Sequence, residues 1–369
     1  MTDAPTPARR DVVVLGSTGS VGTQALELVR RHPDRFRVVG LTAGGSNREL
    51  FERQVAEFEP AFSGLGEDAS VEAAARPCDV VLNAVTGAVG LRPTLAALDA
   101  GRTLALANKE SLIVGGPLVR DRARPGQIVP VDSEHSAIAQ SLRAGERGEV
   151  RRLVLTASGG PFRGRTREQL AGVTPAEALA HPNFAMGTVI TTNSATLVNK
   201  GLEVIEAHLL FDVPLERIDV VVHPQQLIHS MVEFCDGAVV AQLGLPTMLV
   251  PIALGMGWPD RVPDAETPID WTRAADWRFE PLDDDAFPAV LLAREAGARG
   301  GTAPAVYNAA NEECVAAFHD GRLAFVDIVP AVADTLRAHD VPSDAALTVD
   351  DVLAADAWAR AHTRQLITG

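Results

Sequence analysis

Little in this chain of 369 residues suits cross-linking or thiolate metal chemistry: its three cysteines, Cys78, Cys235 and Cys314, lie far apart with no CxxC pair. That excludes a disulfide framework and a cysteine zinc site, and makes a reducing cytoplasm the expected setting. Positive charge is also short. With 48 Asp and Glu against 33 Lys and Arg the formal net charge is −15, so neither nucleic acid nor an anionic membrane surface is an expected partner. A small anionic substrate needs only a local cationic pocket and is not excluded. Long apolar runs are missing too. The longest, Ala238–Trp258, is interrupted by Gln242, Pro246 and Pro251, which makes it a core segment rather than a membrane span. Arg9-Arg10 resembles a twin-arginine signal, but only Val12–Leu15 follows before the chain turns glycine-rich, so the expectation is a strand and no export. The 46% hydrophobic and 22% charged fractions are ordinary for a folded protein with room for two or three cores.

Lysine is rarer still. Lys109 and Lys200 are the only two among the 33 basic residues, and both fall in polar motifs rich in small residues. A compact ammonium differs most from a guanidinium in such places.

Residues 11–150 alternate apolar runs with helical patterns. Strands are expected at Asp11–Leu15, Phe36–Thr42, Asp79–Ala84, Thr103–Ala107 and Gln127–Val131, and helices near Gly19–His32, Asn47–Phe58, Gly87–Ala100 and Ser111–Ala123. Continuous Val/Leu runs mark strands covered on both faces, hence a doubly wound parallel sheet. Beyond Arg151 the pattern becomes α+β, with strands expected at Leu153–Ala157, Thr188–Thr192, Val220–Val222, Ile228–Phe234 and Ala238–Leu243 and a helix at Ser194–Leu210. The Pro-, Asp- and Trp-rich stretch Pro259–Pro281 reads as a long connection. From Ala286 onward helical periodicity dominates, clearest at Asn308–His319 and Val326–Ala338. The expected division is a dinucleotide-binding domain over 1–150, an α+β catalytic domain over 151–283 and a helical domain over 284–369.

Gly16-Ser-Thr-Gly19-Ser-Val-Gly22 follows a strand and opens a helix. Glycines there allow a tight turn and close approach of a pyrophosphate, whose charge the helix N-terminus meets. A Rossmann-type dinucleotide site is favoured over a generic β–α turn. The next strand ends in Gly44-Gly-Ser-Asn47, with no acid to hold an NAD ribose or repel a 2′-phosphate, so NADPH is expected. Lys109, in Ala107-Asn-Lys-Glu-Ser111, stands at a strand C-terminus, where parallel sheets bind ligands. Asp132 and Glu134 in Pro130-Val-Asp-Ser-Glu-His-Ser136 project to one side if the backbone is extended, and repel unless a cation lies between them. The bland alternative is a capped helix start with acids in its first turn. Oxygen ligands suit Mg²⁺ or Mn²⁺. Ser158-Gly-Gly-Pro-Phe162 can form an oxyanion nest or merely a turn. In Ser194-Ala-Thr-Leu-Val-Asn199-Lys200-Gly-Leu-Glu203, Asn199 and Glu203 share a helix face, and Glu203 supplies a third carboxylate. His181-Pro-Asn-Phe-Ala-Met-Gly187 reads equally as a lid or as a packed surface loop.

In order, these motifs resemble 1-deoxy-D-xylulose 5-phosphate reductoisomerase, as do His223-Pro-Gln225, Ile228-His-Ser-Met231, Ala241-Gln-Leu-Gly244 and Asn308-Ala-Ala-Asn-Glu312. The resemblance runs from about residue 11 to the C-terminus. It implies an NADP-dependent enzyme of the non-mevalonate isoprenoid pathway, which isomerises 1-deoxy-D-xylulose 5-phosphate and reduces the aldehyde to 2-C-methyl-D-erythritol 4-phosphate. It further implies that Asp132, Glu134 and Glu203 hold Mg²⁺ or Mn²⁺, with Co²⁺ also used. Ser133, Glu134 and Lys109 would touch the substrate, while Ser158, Ser194, Asn199 and Lys200 form its phosphate cradle with His181 at the mouth. Thr18, Gly19, Ser20, Val21, Gly44, Gly45, Asn47, Asn108, Glu110 and Gly187 match cofactor-contacting positions. A lid over 181–190 and a homodimer follow by the same resemblance. Phe184 stands where the best-known members have Trp, which removes an indole N–H and some area from the lid. The competing readings are a metal-free dehydrogenase of the homoserine or aspartate-semialdehyde type and a non-enzymatic NADPH-binding sensor. Neither needs three carboxylates and two lysines together.

Overall fold

The computed structural model describes residues 8–180, 187–341 and 347–368. The lid residues His181, Phe184 and Met186 lie outside them. The first half contains β1 (Arg10–Leu15), α1 (Ser20–Arg31), β2 (Phe36–Ala43), α2 (Arg48–Phe58), β3 (Phe62–Leu65), α3 (Glu67–Ala75), β4 (Val80–Asn83), α4 (Leu91–Asp99), β5 (Thr103–Leu106), α5 (Lys109–Gly115), α6 (Pro117–Arg122) and β6 (Ile128–Pro130). Next come α7 (Ser133–Ser141), β7 (Val150–Ala157), α8 (Arg167–Leu170), α9 (Pro175–Ala178), α10 (Thr188–Ala195), α11 (Val198–Phe211), β8 (Ile218–Val222), β9 (Ile228–Phe234) and β10 (Val239–Leu243). The chain ends with α12 (Leu249–Gly257), β11 (Glu280–Pro281), α13 (Ala289–Arg299), α14 (Ala303–His319), α15 (Ile328–Ala338) and α16 (Val349–Thr368).

Two compact units result. The first contains the described residues up to Ser111, then Asp121–Ser136 and Thr247–Pro268. Its six strands lie in the order β3-β2-β1-β4-β5-β6 and pair in parallel throughout. Strand order reverses between β1 and β4, so the crevice at their C-terminal ends is the expected ligand position of a doubly wound sheet. Val12, Val14, Val80, Leu82 and Leu41 are fully buried, as strands covered on both faces require.

The second unit contains Leu112–Arg120, Ala137–Pro246 and the described residues from Ile269 onward. Its sheet runs β10-β9-β7-β8-β11, with β7 and β8 parallel and the other pairs antiparallel. The expected cuts at 150 and 283 do not coincide with these units. The C-terminal helices share one continuous core with the second sheet: Leu155, Val232, Leu202, Val306 and Leu336 all belong to it. The segment Thr247–Pro268 returns to the first unit, where Ile252, Ala253 and Met256 join Ala105 and Val131.

Thr188–Thr192 is the start of a helix, not a strand. β-branched threonines favour strands, but the Thr191 hydroxyl donates to the Gly187 carbonyl at 2.9 Å and that of Thr192 to Thr188 at 2.9 Å, back-bonds that a helix accommodates. Leu197, at φ 61°, then breaks the chain into α10 and α11 where a single helix was expected. β3, of four residues, and the alanine-rich α3 have no expected counterpart. No helix among the described residues is long and apolar enough to cross a membrane.

Candidate active site

The dinucleotide turn is built by two glycines that admit no side chain. A Cβ on Gly16, at φ +78°, would meet the Ala84 carbonyl oxygen at 2.5 Å, and one on Gly22 would meet the Gly16 oxygen at 2.3 Å. Gly19 begins α1 without a side-chain cap, and it and Ser20 are exposed. The first-turn N–H groups beside Thr18, Ser20 and Val21 are therefore those that an anion's oxygens can meet. Across the crevice Gly44 is exposed, with open space where a Cβ would lie, and Gly45 adopts φ +98°. These residues fit a pyrophosphate and ribose.

Two expected cofactor residues have other engagements. The Asn47 side chain caps α2, accepting from Leu50 N at 3.2 Å. Buried Asn108 donates to the carbonyls of Val85 and Gly87, the latter at 2.9 Å, and accepts from Ser111 N at 2.6 Å, so its amide braces the loop after β4. Glu110 lies in the first turn of α5, half-buried, and Gly187 is exposed as the cap of α10. Gln54 was not anticipated. Buried on α2, it accepts from Ser17 Oγ at 2.8 Å and donates to the Ser17 carbonyl at 2.9 Å, pinning the glycine turn. No local pattern distinguishes it from the other polar residues of that helix.

At the end of β6 the backbone does not stay extended. Asp132 immediately precedes α7 and accepts from Glu134 N at 3.2 Å, so the capped-helix alternative holds, with Glu134 in the first turn. Lys109 Nζ, at the start of α5, donates to Asp132 Oδ2 at 2.6 Å, while His135 Nδ1 lies 3.0 Å from Oδ1. Burial opposes the charge on Asp132, but the Lys109 ammonium and His135 outweigh it and hold the carboxyl well below the usual carboxylate range. Ser133 Oγ donates to the largely buried Glu134. His135 is the missed residue of this group; it stood inside the motif with no role assigned.

In the second unit β7 runs into Ser158, Gly159 and Gly160, the glycines at φ +81° and +65°. Gly160 N donates to Ser158 Oγ at 3.1 Å, closing a small nest of amides. A Cβ on Gly160 would come within 2.7 Å of the Ser194 carbonyl oxygen, so the structure brings the Ser158 loop against Ser194. Ser194 stands at the C-terminal end of α10, not at a helix start as expected. Four residues on, α11 carries Asn199, Lys200 and Glu203. The amide of Asn199 donates to one carboxylate oxygen of Glu203 and the ammonium of Lys200 to the other. Lys200 is 4% exposed and Glu203 1%. Gly201 lets α11 close on its neighbours, since a Cβ there would lie 2.7 Å from the Ala293 methyl. His229 on β9 is buried, and burial above all, against hydrogen bonds to the backbone of Leu245 and Gly244, lowers its pKa.

The sequence matches family models described as 1-deoxy-D-xylulose 5-phosphate reductoisomerase over residues 12–64 and 62–116, as that reductoisomerase's C-terminal domain over 128–211, and as a DXP reductoisomerase C-terminal domain over 243–362. It is 60% identical over 386 residues to the enzyme of that name from Kitasatospora griseola, covering 97% of this chain and all of the relative. To that of Leifsonia xyli subsp. xyli it is 61% identical over 359 residues, 97% of this chain and 99% of the relative. The solved reductoisomerase of Zymomonas mobilis in complex with NADPH superposes with a TM-score of 0.88 at 41% identity, over 97% of this chain and 99% of that one. A second, in complex with NADPH, fosmidomycin and magnesium, gives a TM-score of 0.89 at 34% identity over 97% and 98% of the two chains. Fold, ordered motifs and near full-length similarity lead to one conclusion: the chain belongs to the 1-deoxy-D-xylulose 5-phosphate reductoisomerase family of NADP-dependent enzymes.

Proposed function

We propose that this chain carries out the isomerisation and NADPH-dependent reduction of 1-deoxy-D-xylulose 5-phosphate to 2-C-methyl-D-erythritol 4-phosphate, with residues in the following roles. Asp132, Glu134 and Glu203 would hold one divalent ion. All are carboxylates, which suits Mg²⁺ or Mn²⁺, and Co²⁺ as a substitute. When bound, the ion supplies Lewis-acid polarisation of substrate oxygens, and NADPH supplies the hydride.

The observation that carries this assignment is the placement of the two lysines. In a chain with arginine nearly everywhere else, Lys109 and Lys200 are largely buried, one on Asp132 and the other on Glu203. A buried carboxylate needs a compensating cation, and the ammonium leaves room for a second one where a guanidinium fork would fill the space. Lys109 is also placed to donate to a substrate oxygen as negative charge develops there. Ser158, Ser194, Asn199 and Lys200 form the phosphate cradle, and Ser133 and Glu134 meet the substrate's hydroxyl end. Phosphate held away from the reacting carbons orients the substrate and supplies energy for closure. A lid over 181–190, of which 181–186 lie outside the described residues and 188–190 open α10, would exclude water from the aldehyde, with His181 assigned to its mouth by the resemblance. In the first unit Thr18, Gly19, Ser20, Val21, Gly44 and Gly45 line the dinucleotide, with Asn47, Asn108 and Glu110 beside them; Gly187, in the second unit, is assigned a cofactor contact by the family resemblance alone. The three unpaired cysteines suit a reducing cytoplasm, and a homodimer is carried over from the family resemblance.

The test follows NADPH absorbance with 1-deoxy-D-xylulose 5-phosphate after chelator treatment, with and without Mn²⁺. Turnover is expected only with metal. Metal-independent oxidation of NADPH would overturn the assignment of the three carboxylates.

A further inference from the structure

The helix that carries Ser194 is inside out. α10 exposes its two large apolar residues, Val189 at 41% and Ile190 at 39%, and buries Thr191, Thr192 and Asn193 together with the small Ala195. An ordinary surface helix takes its register from an apolar face pressed on the core. Apart from the single methyl of Ala195, α10 presses no apolar side chain on the core, so polar contacts must set its rotation and height.

Two contacts from α14 do so. Asn311 Nδ2 donates to Asn193 Oδ1 at 2.8 Å, with both residues buried. His319 Nε2 lies 2.8 Å from Thr192 Oγ1. Because that hydroxyl already donates to the Thr188 carbonyl, the ring N–H is left as the donor. α14 is itself anchored. Asn308 donates to Glu312 at 3.0 Å, and Glu312 receives Arg360 of α16 at 2.7 Å.

We infer that Asn311 and His319 are positioning residues of the reaction: they fix α10 and thereby hold Ser194 against the Ser158 loop. The inference rests on the reading that both serines meet the substrate phosphate. Its reach comes from the absence of slack at the other end. Gly160 already lies so close to the Ser194 carbonyl that a methyl group would not fit, so a small shift of α10 separates the two hydroxyls. This gives the Asn308–Glu312 motif, more than 100 residues away in the chain, a purpose that neither metal nor cofactor accounts for.

The experiment measures KM and kcat for Asn311→Ala, His319→Ala, His319→Gln, Ser194→Ala and the Asn311→Ala/Ser194→Ala double variant. Loss of one buried hydrogen bond is worth roughly three- to tenfold, so Asn311→Ala should raise the sugar-phosphate KM by about that factor, with kcat and the NADPH KM nearly unchanged. In the Ser194→Ala background it should add nothing, because it acts through Ser194. His319→Gln, which keeps a donor at the Nε2 position, should restore what His319→Ala loses; the His319 pair carries the same test if Asn311→Ala does not fold. If Ser194→Ala raises KM while the α14 variants leave it unchanged, or the Asn311 effect persists undiminished in the double variant, the positioning role is refuted and the phosphate reading stands. An unchanged KM for Ser194→Ala would refute the phosphate reading, and the inference with it.

Discussion

Gly160 and Gly164 allow a matched experiment on the loop after β7. Both have positive φ, +65° and +80°, so alanine at either must adopt the left-handed region. That alone costs about 1–2 kcal/mol. The surroundings differ. At Gly164 a Cβ meets nothing within 4 Å, whereas at Gly160 it meets the Ser194 carbonyl oxygen at 2.7 Å and the Ala195 Cα at 3.2 Å. Both neighbours are backbone and cannot swing aside as a flexible side chain would. Overpacking of this kind adds about 1–3 kcal/mol. Gly164→Ala should therefore lose only the backbone cost, about 1–2 kcal/mol, and keep its KM. Gly160→Ala should lose roughly 2–5 kcal/mol in all and raise the sugar-phosphate KM, since the loop must move off α10 to make room. Urea unfolding gives the stabilities and steady-state kinetics the split. Equal destabilisation by the two substitutions, or an unchanged KM for Gly160→Ala, would show that the close approach to Ser194 is not what organises the phosphate end.

Glu203→Gln keeps the shape of the side chain but removes its charge, so turnover should fall roughly 100-fold or more while NADPH binding, followed by fluorescence, stays intact. Equal loss of both would mean a folding defect. Gly22→Ala forces a methyl within 2.3 Å of the Gly16 carbonyl, so NADPH binding should weaken severely while the second unit's melting behaviour is preserved. Among the thiols, burial pushes Cys78 up to about 11 and Cys314 up to about 12, while Cys235 is exposed. Alkylation of the native protein at pH 8, read by mass spectrometry, should therefore reach Cys235 well before the other two.

The first sheet was legible because its signals are local. Unbroken Val/Leu strands, a glycine turn and an Asn47 cap each act within a few residues, and the expected strands match β1, β2, β4, β5 and β6 to within a residue or two. β3 escaped because Phe62-Ser-Gly-Leu65 has neither a continuous apolar run nor length. α10 escaped because its partners, Asn311 and His319, are more than 100 residues distant, and a threonine-rich segment satisfied by distant donors carries no local helical stripe. In the site, Asp132, Glu134 and Glu203 could be proposed from charge repulsion and spacing, and Lys109 and Lys200 from their scarcity. Gln54 could not. Its work is done by a pair of hydrogen bonds to Ser17, and nothing in its own neighbourhood records where Ser17 will be.

The return of α12 to the first unit bears on how the polypeptide matures during synthesis. Ile252, Ala253 and Met256, followed by Val262 and Ala265, complete a core whose remaining members, from Val12 to Val131, emerge from the ribosome long before them. Gly255 sits so near Val131 that a methyl would collide at 2.7 Å, so the nascent sheet holds a shallow seat for a helix not yet made. Until Gly257 has been translated, the amino-terminal half must wait with that seat bare and greasy. A shortened gene product stopping near residue 136 would carry the same bare surface permanently, and self-association is the fate expected of it.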